Sequence, residues 1–409
     1  MPRVQEEELE RMMSALKVPA NDASAPGPVI QVPRASPLAK RPAPTLQPPH
    51  RPGAQLASSS ITPPFSPTQH HQGMMVWPPA HGVHADQNKR HRRHMEDAPK
   101  AVPELLGGEY AFFAVYDGHG GRTAVDFCAE RLHENVTQEL QRTDLTGTDA
   151  SDVPQAIARA VLSTDEQLKP AGAYGCGSTA AILLLRRIPS GTDDAILTQD
   201  KVQDAQSHPP PDHGVGSGVG GHTRLNGAAS GGKLSPSTSS SVVAYAANAG
   251  DSHIILLRRA PEGAPPLAPK RLSVEHSGKN EVEVARITDA GGFMRRGRVG
   301  CVLAVTRALG DHTLKEDESC AGLTAEPDVT AHHVDPAHDL GVLLVSDGIT
   351  EALTDEECDA VVRQAIGKIE SEAQAAEMAA REVVNAAMER GSRDNLSAVY
   401  VHFALAPHF

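Results

Sequence analysis

Two apolar runs of this sequence each end in an Asp-Gly pair, at Asp117-Gly118 and at Asp347-Gly348. A strand that delivers a carboxylate to the edge of a sheet holds that carboxylate rigidly. The glycine that follows lets the backbone, including its carbonyl, approach a ligand closely. The repeated pattern therefore indicates two acids placed to bind something at the ends of two strands.

Three further acids lie beside apolar runs. Asp394 comes just before the run that starts near Leu396, whereas Glu96 and Asp97 precede the first core strand. Converging carboxylates without Cys or clustered His ligands suit hard cations such as Mg²⁺ or Mn²⁺ rather than zinc. Because an isolated Asp-Gly is most often an ordinary turn, these residues by themselves indicate a divalent-metal site and leave its reaction open.

The composition is that of a mostly globular, acidic chain. It has 409 residues, with 38 Lys and Arg against 51 Asp and Glu, for a net charge of −13. This excess of acid disfavours a general nucleic-acid-coating role. Hydrophobic residues make up 39% and aromatic residues only 3%, so aliphatic side chains must fill most of a substantial core.

The cysteines and the apolar runs indicate the cellular compartment in which we expect the protein. The five cysteines show no CxxC or metal-ligand spacing, and their odd number fits a disulfide framework poorly, so we expect reduced intracellular thiols. No apolar run approaches the roughly 18 to 20 residues of a membrane helix, and the acidic residues 6–10 are unlike a secretion signal. We expect a cytoplasmic or nuclear protein with no membrane partner; a mitochondrial location is disfavoured.

Composition shifts divide the chain. Of its 32 prolines, 16 fall in residues 1–90, which carry 9 Lys and Arg against 6 Asp and Glu and leave a net charge of −16 beyond them. We predict a disordered tail over 1–80, a domain over 81–409, and a disordered insertion within it at 189–240. Apolar residues at helical spacing over 9–16 indicate either a partner-binding helix or a transient helix without a role.

Short apolar runs alternate with turn residues from residue 91 onward. The pattern predicts strands at 110–116, 179–185, 242–247, 253–257, 341–345 and 396–403, and helices at 122–140, 153–168, 281–290, 355–369 and 371–388. Close strand pairs, such as the pair that turns at 248–252, favour antiparallel hairpins over repeated βαβ units. The predicted fold class is α+β, with two packed, mainly antiparallel sheets and helices outside them.

Nine short segments occur in the order found in a known family. They are 92–97, 117–121, 177–181, 249–252, 290–292, 303–311, 326–328, 346–348 and 392–395. Together they resemble the metal-dependent PPM (type 2C) serine/threonine protein phosphatases. The resemblance spans residues 82–404 and is interrupted only by the inserted loop. The context of 86–97 and of 303–311 looks most like fungal members that restrain stress-activated MAP kinase signalling.

The resemblance implies an α-β-β-α sandwich that binds two Mg²⁺ or Mn²⁺ ions. Its metal ligands carry over as Asp117 to both ions, Asp347 and Asp394 to one, Glu96 and the Gly118 carbonyl to the other, and Asp97 through bound water. It also implies hydrolysis of phosphoserine and phosphothreonine by a metal-activated water, without a phosphoenzyme.

The same resemblance assigns roles to further residues. Arg92 matches the phosphate-binding arginine, and His119 matches the general acid that protonates the departing alkoxide. A third, weaker metal position uses Asp251 and a second acid that is here Glu351 instead of the usual Asp, so binding of a third ion stays open. The segment 312–324 corresponds to a flap near the site that contributes to substrate choice.

The expected partners are phosphoprotein substrates, with MAP kinases as candidates, and the protein is expected to be a monomer. One alternative is a pseudophosphatase, in which the fold serves only to bind phosphoproteins; the intact acids Glu96, Asp117, Asp347 and Asp394 argue against it. Another is a metal-dependent nuclease, which the acidic domain and the lack of an evident basic groove disfavour. No nucleic-acid partner is expected.

Overall fold

The computed structural model describes residues 75–143, 152–188, 241–260, 264–265 and 267–405. Almost all of the predicted tail, the helical pattern at 9–16 and the predicted insertion at 189–240 lie outside the described residues. Their predictions therefore stay predictions.

Strands and helices in the described ranges are numbered in chain order. The strands are β1 (Ala80–Asp86), β2 (Asp97–Leu105), β3 (Tyr110–His119), β4 (Gly177–Ser178), β5 (Ala180–Ile188), β6 (Ser241–Ala249), β7 (His253–Arg258), β8 (Lys270–Arg271), β9 (Met294–Arg295), β10 (Arg298–Val299), β11 (Leu309–Gly310), β12 (Asp328–Val334), β13 (Asp339–Val345) and β14 (Leu396–His402). The helices are α1 (Thr123–Arg142), α2 (Asp152–Leu168), α3 (Glu281–Asp289), α4 (His312–Lys315), α5 (Asp347–Thr350), α6 (Asp355–Ile366) and α7 (Glu372–Glu389).

The longer strands form two sheets. Sheet A has the order β1-β14-β13-β7-β8, and sheet B has the order β11-β4-β3-β5-β6-β12, with β2 added beside β3. Every pairing between neighbouring strands in these sheets is antiparallel. Strands β9 and β10 form a separate two-stranded hairpin.

The alternation of side chains along β3 shows how the layers are built. Phe112 and Tyr116 belong to the apolar cluster shared with α1 and α2, whereas Phe113 and Val115 belong to the cluster between the two sheets. Successive side chains of a strand point to opposite faces, so one continuously apolar strand serves two cores at once.

Sheet A repeats this arrangement on the other side of the molecule. Leu343 and Val345 of β13 pack in a third cluster with residues of α6 and α7, whereas Val342 and Leu344 join the cluster between the sheets. The layers are therefore helix, sheet, sheet, helix. The predicted α+β class with an α-β-β-α sandwich is confirmed. Of the helices described, none combines the length and the hydropathy that a bilayer crossing demands.

Among the sheet strands longer than two residues, three were missing from the sequence-based prediction, namely β1, β2 and β12. Each lies at an edge: β1 pairs only with β14, β12 only with β6, and β2 only with β3. Edge strands tolerate polar residues and proline because one side of their backbone is unpaired. Pro99 and Pro103 lie in β2, and such residues conceal the strand pattern.

Strands β1 and β14 of sheet A lie close to helix α7. Strand β1 pairs with β14 over its full length. A Cβ on Gly82 of β1 would overlap the backbone of Ala376 and Glu377 in α7. Only a glycine allows this approach, so Gly82 lets the helix pack directly on the edge strand.

Candidate active site

One cavity of about 780 Å³ opens at the ends of strands from both sheets. Its acidic lining residues are Asp117, Asp251, Asp347, Glu351 and Asp394. Asp117 lies in β3 of sheet B. Asp251 follows β6, Asp347 and Glu351 follow β13, and Asp394 precedes β14. Acids that are up to 277 residues apart in the chain thus share one cavity because the two sheets pack face to face.

Backbone contacts fix the Asp117-Gly118 pair. The Gly118 N–H donates to the Glu96 carbonyl at 3.0 Å, and a Cβ on Gly118 would lie 2.5 Å from that oxygen. A side chain at residue 118 would therefore push the two segments apart. The glycine is needed for the close approach that the sequence pattern indicated.

Ser346, which directly precedes Asp347 at the end of sheet A, links this segment to β2 of sheet B. The Ser346 hydroxyl donates to the Asp97 carboxylate at 2.9 Å and accepts from the Ser397 N–H at 3.0 Å. Asp97 itself lies opposite Asp117 in the β2–β3 register. This chain of contacts ties the ends of β2, β13 and β14 together beneath Asp347.

Burial of these acids, followed by their mutual repulsion, raises their pKa values. The pKa of Asp117 is raised well above its usual range by burial, then by the charges of Asp347 and Asp97. Burial is also the main cause that raises the pKa of Asp97 to about 7 and that of Asp251 to about 7. Buried carboxylates that repel one another are stabilised by a cation, so this donor set fits hard divalent ions.

Within the described ranges, no three Asp, Glu, His or Cys side chains are drawn together as a closed ion cage. The charge of Asp347 acts on Asp117, and Asp394 accepts a hydrogen bond from Arg92. The acids thus line one cavity but do not form a closed set of metal ligands within the described residues.

Arg92 lies at the cavity with its side chain 44% exposed. Its loop is held by Asn395, whose side-chain amide donates to the carbonyls of Gln87 at 2.8 Å and His94 at 3.1 Å and accepts from the Glu96 N–H at 2.8 Å. One asparagine therefore positions both the arginine loop and the segment that carries Glu96.

His119 has a partner that the sequence did not reveal. Its Nε2 lies 2.6 Å from Oδ2 of Asp311, and Asp311 is only 2% exposed. A Cβ on Gly177 would overlap both the Asp311 carboxylate and the His119 ring. The buried acid is thus enclosed against the imidazole. The Gly-Asp that ends the segment 303–311 was the available signal in the sequence.

Most of the predicted site residues come together. Those that line the cavity are Arg92, Asp117, Gly118, His119, Asp251, Asp347, Glu351 and Asp394. Glu96 and Asp97 lie behind this lining: the Glu96 carboxylate accepts from the Gly121 N–H at 2.7 Å, and Asp97 is 3% exposed.

The expected flap does not line the cavity. No residue of 312–324 is among the lining residues in the described part of the chain; the segments 277–279, 296–298 and 303–305 occupy that position.

Comparison with known proteins adds to this geometry. The family model described as protein phosphatase 2C matches residues 81–188 and 233–396. Protein phosphatase 2C homolog 1 of Schizosaccharomyces pombe is 30% identical over 333 residues, which cover 80% of this chain and 74% of that protein. Protein phosphatase 2C homolog 1 of Saccharomyces cerevisiae is 26% identical over 322 residues, which cover 78% and 92%.

A solved structure shares the fold. The crystal structure of a phosphatase from a pathogenic strain of Toxoplasma gondii aligns with a TM-score of 0.55 at 21% sequence identity. The alignment covers 82% of this chain and 97% of that one.

Proposed function

Because this chain belongs to the protein phosphatase 2C family, we propose that it hydrolyses phosphoserine and phosphothreonine in proteins with two Mg²⁺ or Mn²⁺ ions bound in the cavity. The observation that carries this proposal is the meeting of Asp117, Asp347 and Asp394 with Arg92 and His119 around one space.

The ions would be held by Asp117, Asp347, Asp394 and the Gly118 carbonyl, with Glu96 and Asp97 acting from behind the lining. Bound there, divalent cations supply an activated water and neutralise charge on the phosphoryl oxygens. Asp251 and Glu351 line the same cavity, which supports a third cation position as part of the proposal.

Arg92 is the group that would bind the phosphoryl oxygens. A guanidinium offers five N–H donors in a fixed fork and can hold two oxygens of one phosphoryl group. Its contact with Asp394 uses part of this fork, and the side chain, 44% exposed at the cavity, would offer its other donors to the ligand. Arg92 thereby fixes the orientation of the substrate relative to the acids.

His119 would donate a proton to the leaving serine or threonine oxygen. An alkoxide is a poor leaving group, so proton donation by a well-placed acid accelerates its departure, typically by about 10²–10⁴-fold. The hydrogen bond between Nε2 and Asp311 fixes the ring orientation and leaves Nδ1 as the nitrogen that can face the substrate.

We expect Asp311→Asn to lower kcat for a phosphothreonine peptide by about 10–100-fold, because His119 loses its charged partner. The loss for p-nitrophenyl phosphate should be much smaller, since its leaving group departs without a proton. The exposed Glu316 gives the matched control, Glu316→Gln, which should leave both substrates unaffected. Equal losses on both substrates in Asp311→Asn would show that Asp311 only supports the fold.

The finer substrate is also a proposal. The likeness of 86–97 and 303–311 to fungal enzymes of stress-activated MAP kinase signalling, together with the similarity to two yeast proteins, supports phosphothreonine in kinase activation loops. A cytoplasmic or nuclear location, which rests on the cysteine pattern, and action as a monomer belong to the same proposal.

The test is release of phosphate from a phosphothreonine peptide by the purified full chain. We expect release with Mg²⁺ or Mn²⁺, none after excess EDTA, and recovery when Mn²⁺ is restored. A calorimetric titration with Mn²⁺ accompanies the assay. Metal binding without any phosphate release would contradict the proposed phosphatase activity and support a phosphoprotein-binding module.

A further inference from the structure

Three cations besides Arg92 line the cavity that holds the acids. Lys279 comes from the loop before α3, and Arg296 and Arg298 come from the β9–β10 hairpin; all three line the cavity that holds Arg92. We call Lys279, Arg296 and Arg298 the basic rim. It stands out because the chain beyond residue 90 carries a net charge of −16, so three adjacent cations create a local field of opposite sign.

Charges on the basic rim remain available to a ligand. Lys279 is 86% exposed, and its Nζ forms one ion pair, with the Glu275 carboxylate at 3.6 Å. Arg298 uses one N–H, which donates to the Val302 carbonyl at 2.8 Å. None of the ion pairs found among the described residues involves Arg296 or Arg298. An arginine has five N–H donors, so most donors of the rim face solvent.

The backbone holds the rim in place. Arg296 and Gly297 both have positive φ, 53° and 74°, between the paired residues Arg295 and Arg298, which is the geometry of a tight two-residue hairpin turn. A Cβ on Gly278 would lie 2.5 Å from the Gly297 carbonyl oxygen. The loop that carries Lys279 therefore packs directly against the hairpin turn, and the cations of both are brought to the same side.

The cavity has room for more than the scissile group. Its volume of about 780 Å³ lies in the range of roughly 300–1,000 Å³ that is typical of pockets for whole small molecules. Arg92 serves one phosphoryl group at the acids. A second anion on the same substrate can therefore reach the basic rim without displacing the first.

We propose that Lys279, Arg296 and Arg298 form a second anion subsite, which selects phosphoprotein substrates that carry another negatively charged group near the scissile phosphate. The inference rests on the proposed function and extends it to substrate choice. The shared chemistry is an anionic oxygen group, either a second phosphoryl group or a carboxylate of Asp or Glu. Each would accept charge-assisted hydrogen bonds from the rim.

The test uses one phosphothreonine peptide in three forms, with phosphoserine, Glu or Ala at a neighbouring position. We expect kcat/KM of the wild-type chain to be about 10-fold higher for the phosphoserine form than for the Ala form, with the Glu form between them. In Arg296→Gln/Arg298→Gln this ratio should fall to about 1. The same ordering should appear in peptide affinity measured by fluorescence anisotropy in EDTA.

Arg295→Gln is the matched control, because it removes the same charge from the same hairpin at a residue that does not line the cavity. It should retain most of the preference. A wild-type ratio near 1 in both assays, or an equal loss of preference in Arg295→Gln, would overturn the subsite. Activity on p-nitrophenyl phosphate reports the catalytic centre separately: its complete absence would refute the proposed function, while the anisotropy ratio would still decide the subsite.

Discussion

Asp347→Asn is expected to lower kcat for a phosphothreonine peptide by at least about 10³-fold, because it removes a charge from the centre of the acidic group. Asp347 is half-buried and lines the cavity together with Asp117 and Asp394. Burial raises its pKa, and the charge of Asp394 raises it further. The amide keeps the shape of the side chain but provides a weaker ligand for a hard cation. A divalent cation held there would supply several kcal/mol of transition-state stabilisation.

The measurement combines phosphate release at saturating Mn²⁺ with a calorimetric titration of the ion. Asp289→Asn changes the same functional group at an exposed position at the end of α3 and should behave as wild type. A variant at Asp347 with unchanged kcat and unchanged Mn²⁺ affinity would remove the cavity from consideration as the catalytic site.

Glu283→Gln is expected to have the largest effect on stability, a loss of about 3 kcal/mol in the free energy of unfolding. Glu283 is 2% exposed. Its carboxylate accepts hydrogen bonds from Arg286 at 2.7 Å, Arg307 at 2.8 Å and Thr306 at 2.6 Å. Removing its charge leaves Arg307, itself largely buried, with Asp328 as its remaining ionic partner, at 3.3 Å.

This effect should depend on pH with a definite sign. Burial alone would raise the pKa of Glu283, but the hydrogen bonds from Arg286, Arg307 and Thr306 outweigh it and hold the pKa well below its usual range. A depressed carboxyl pKa contributes stability that is present above the unfolded-state pKa, about 4.3, and is lost as the pH falls towards the folded value.

Urea unfolding of the wild type and Glu283→Gln at several pH values measures this difference. The gap between them should be constant between about pH 6 and pH 8 and should shrink below about pH 4. Glu281→Gln, in the exposed first turn of the same helix, is the control and should cost only a few tenths of a kcal/mol. A gap that stays constant into acid would contradict the assigned network.

The interior of the fold was predictable because its strands are apolar on both faces. Strands β3, β5 and β13 serve two clusters at once, so their sequences are continuous hydrophobic runs that stand out in the chain. The edge strand β2, with Pro99 and Pro103, has a single neighbour and no such demand. The sequence therefore indicates the buried middle of each sheet better than its borders.

The acids beside apolar runs were also predictable, since a strand end and a glycine leave a visible local pattern. Asp311 and Asn395 could not be found in this way. Their roles come from contacts with His119, 192 residues away, and with Glu96, 299 residues away. Such partners follow only from the packing of the sheets. The basic rim could not be found in this way either, because Lys279 and the hairpin arginines come together only where the loop before α3 packs against the hairpin turn.

Strand β1 pairs with β14, and Asn395 hydrogen-bonds to the arginine loop. These contacts have a consequence for biosynthesis. A ribosome makes β1 and Arg92 early, but their neighbours in sheet A appear more than 300 residues later. Until the segment 394–402 has left the exit tunnel, the nascent polypeptide lacks both Asp394 and the strand that shields β1. The half-made chain therefore has no assembled centre with which to attack phosphoproteins, and it presents an unpaired β1 to chaperones during that interval.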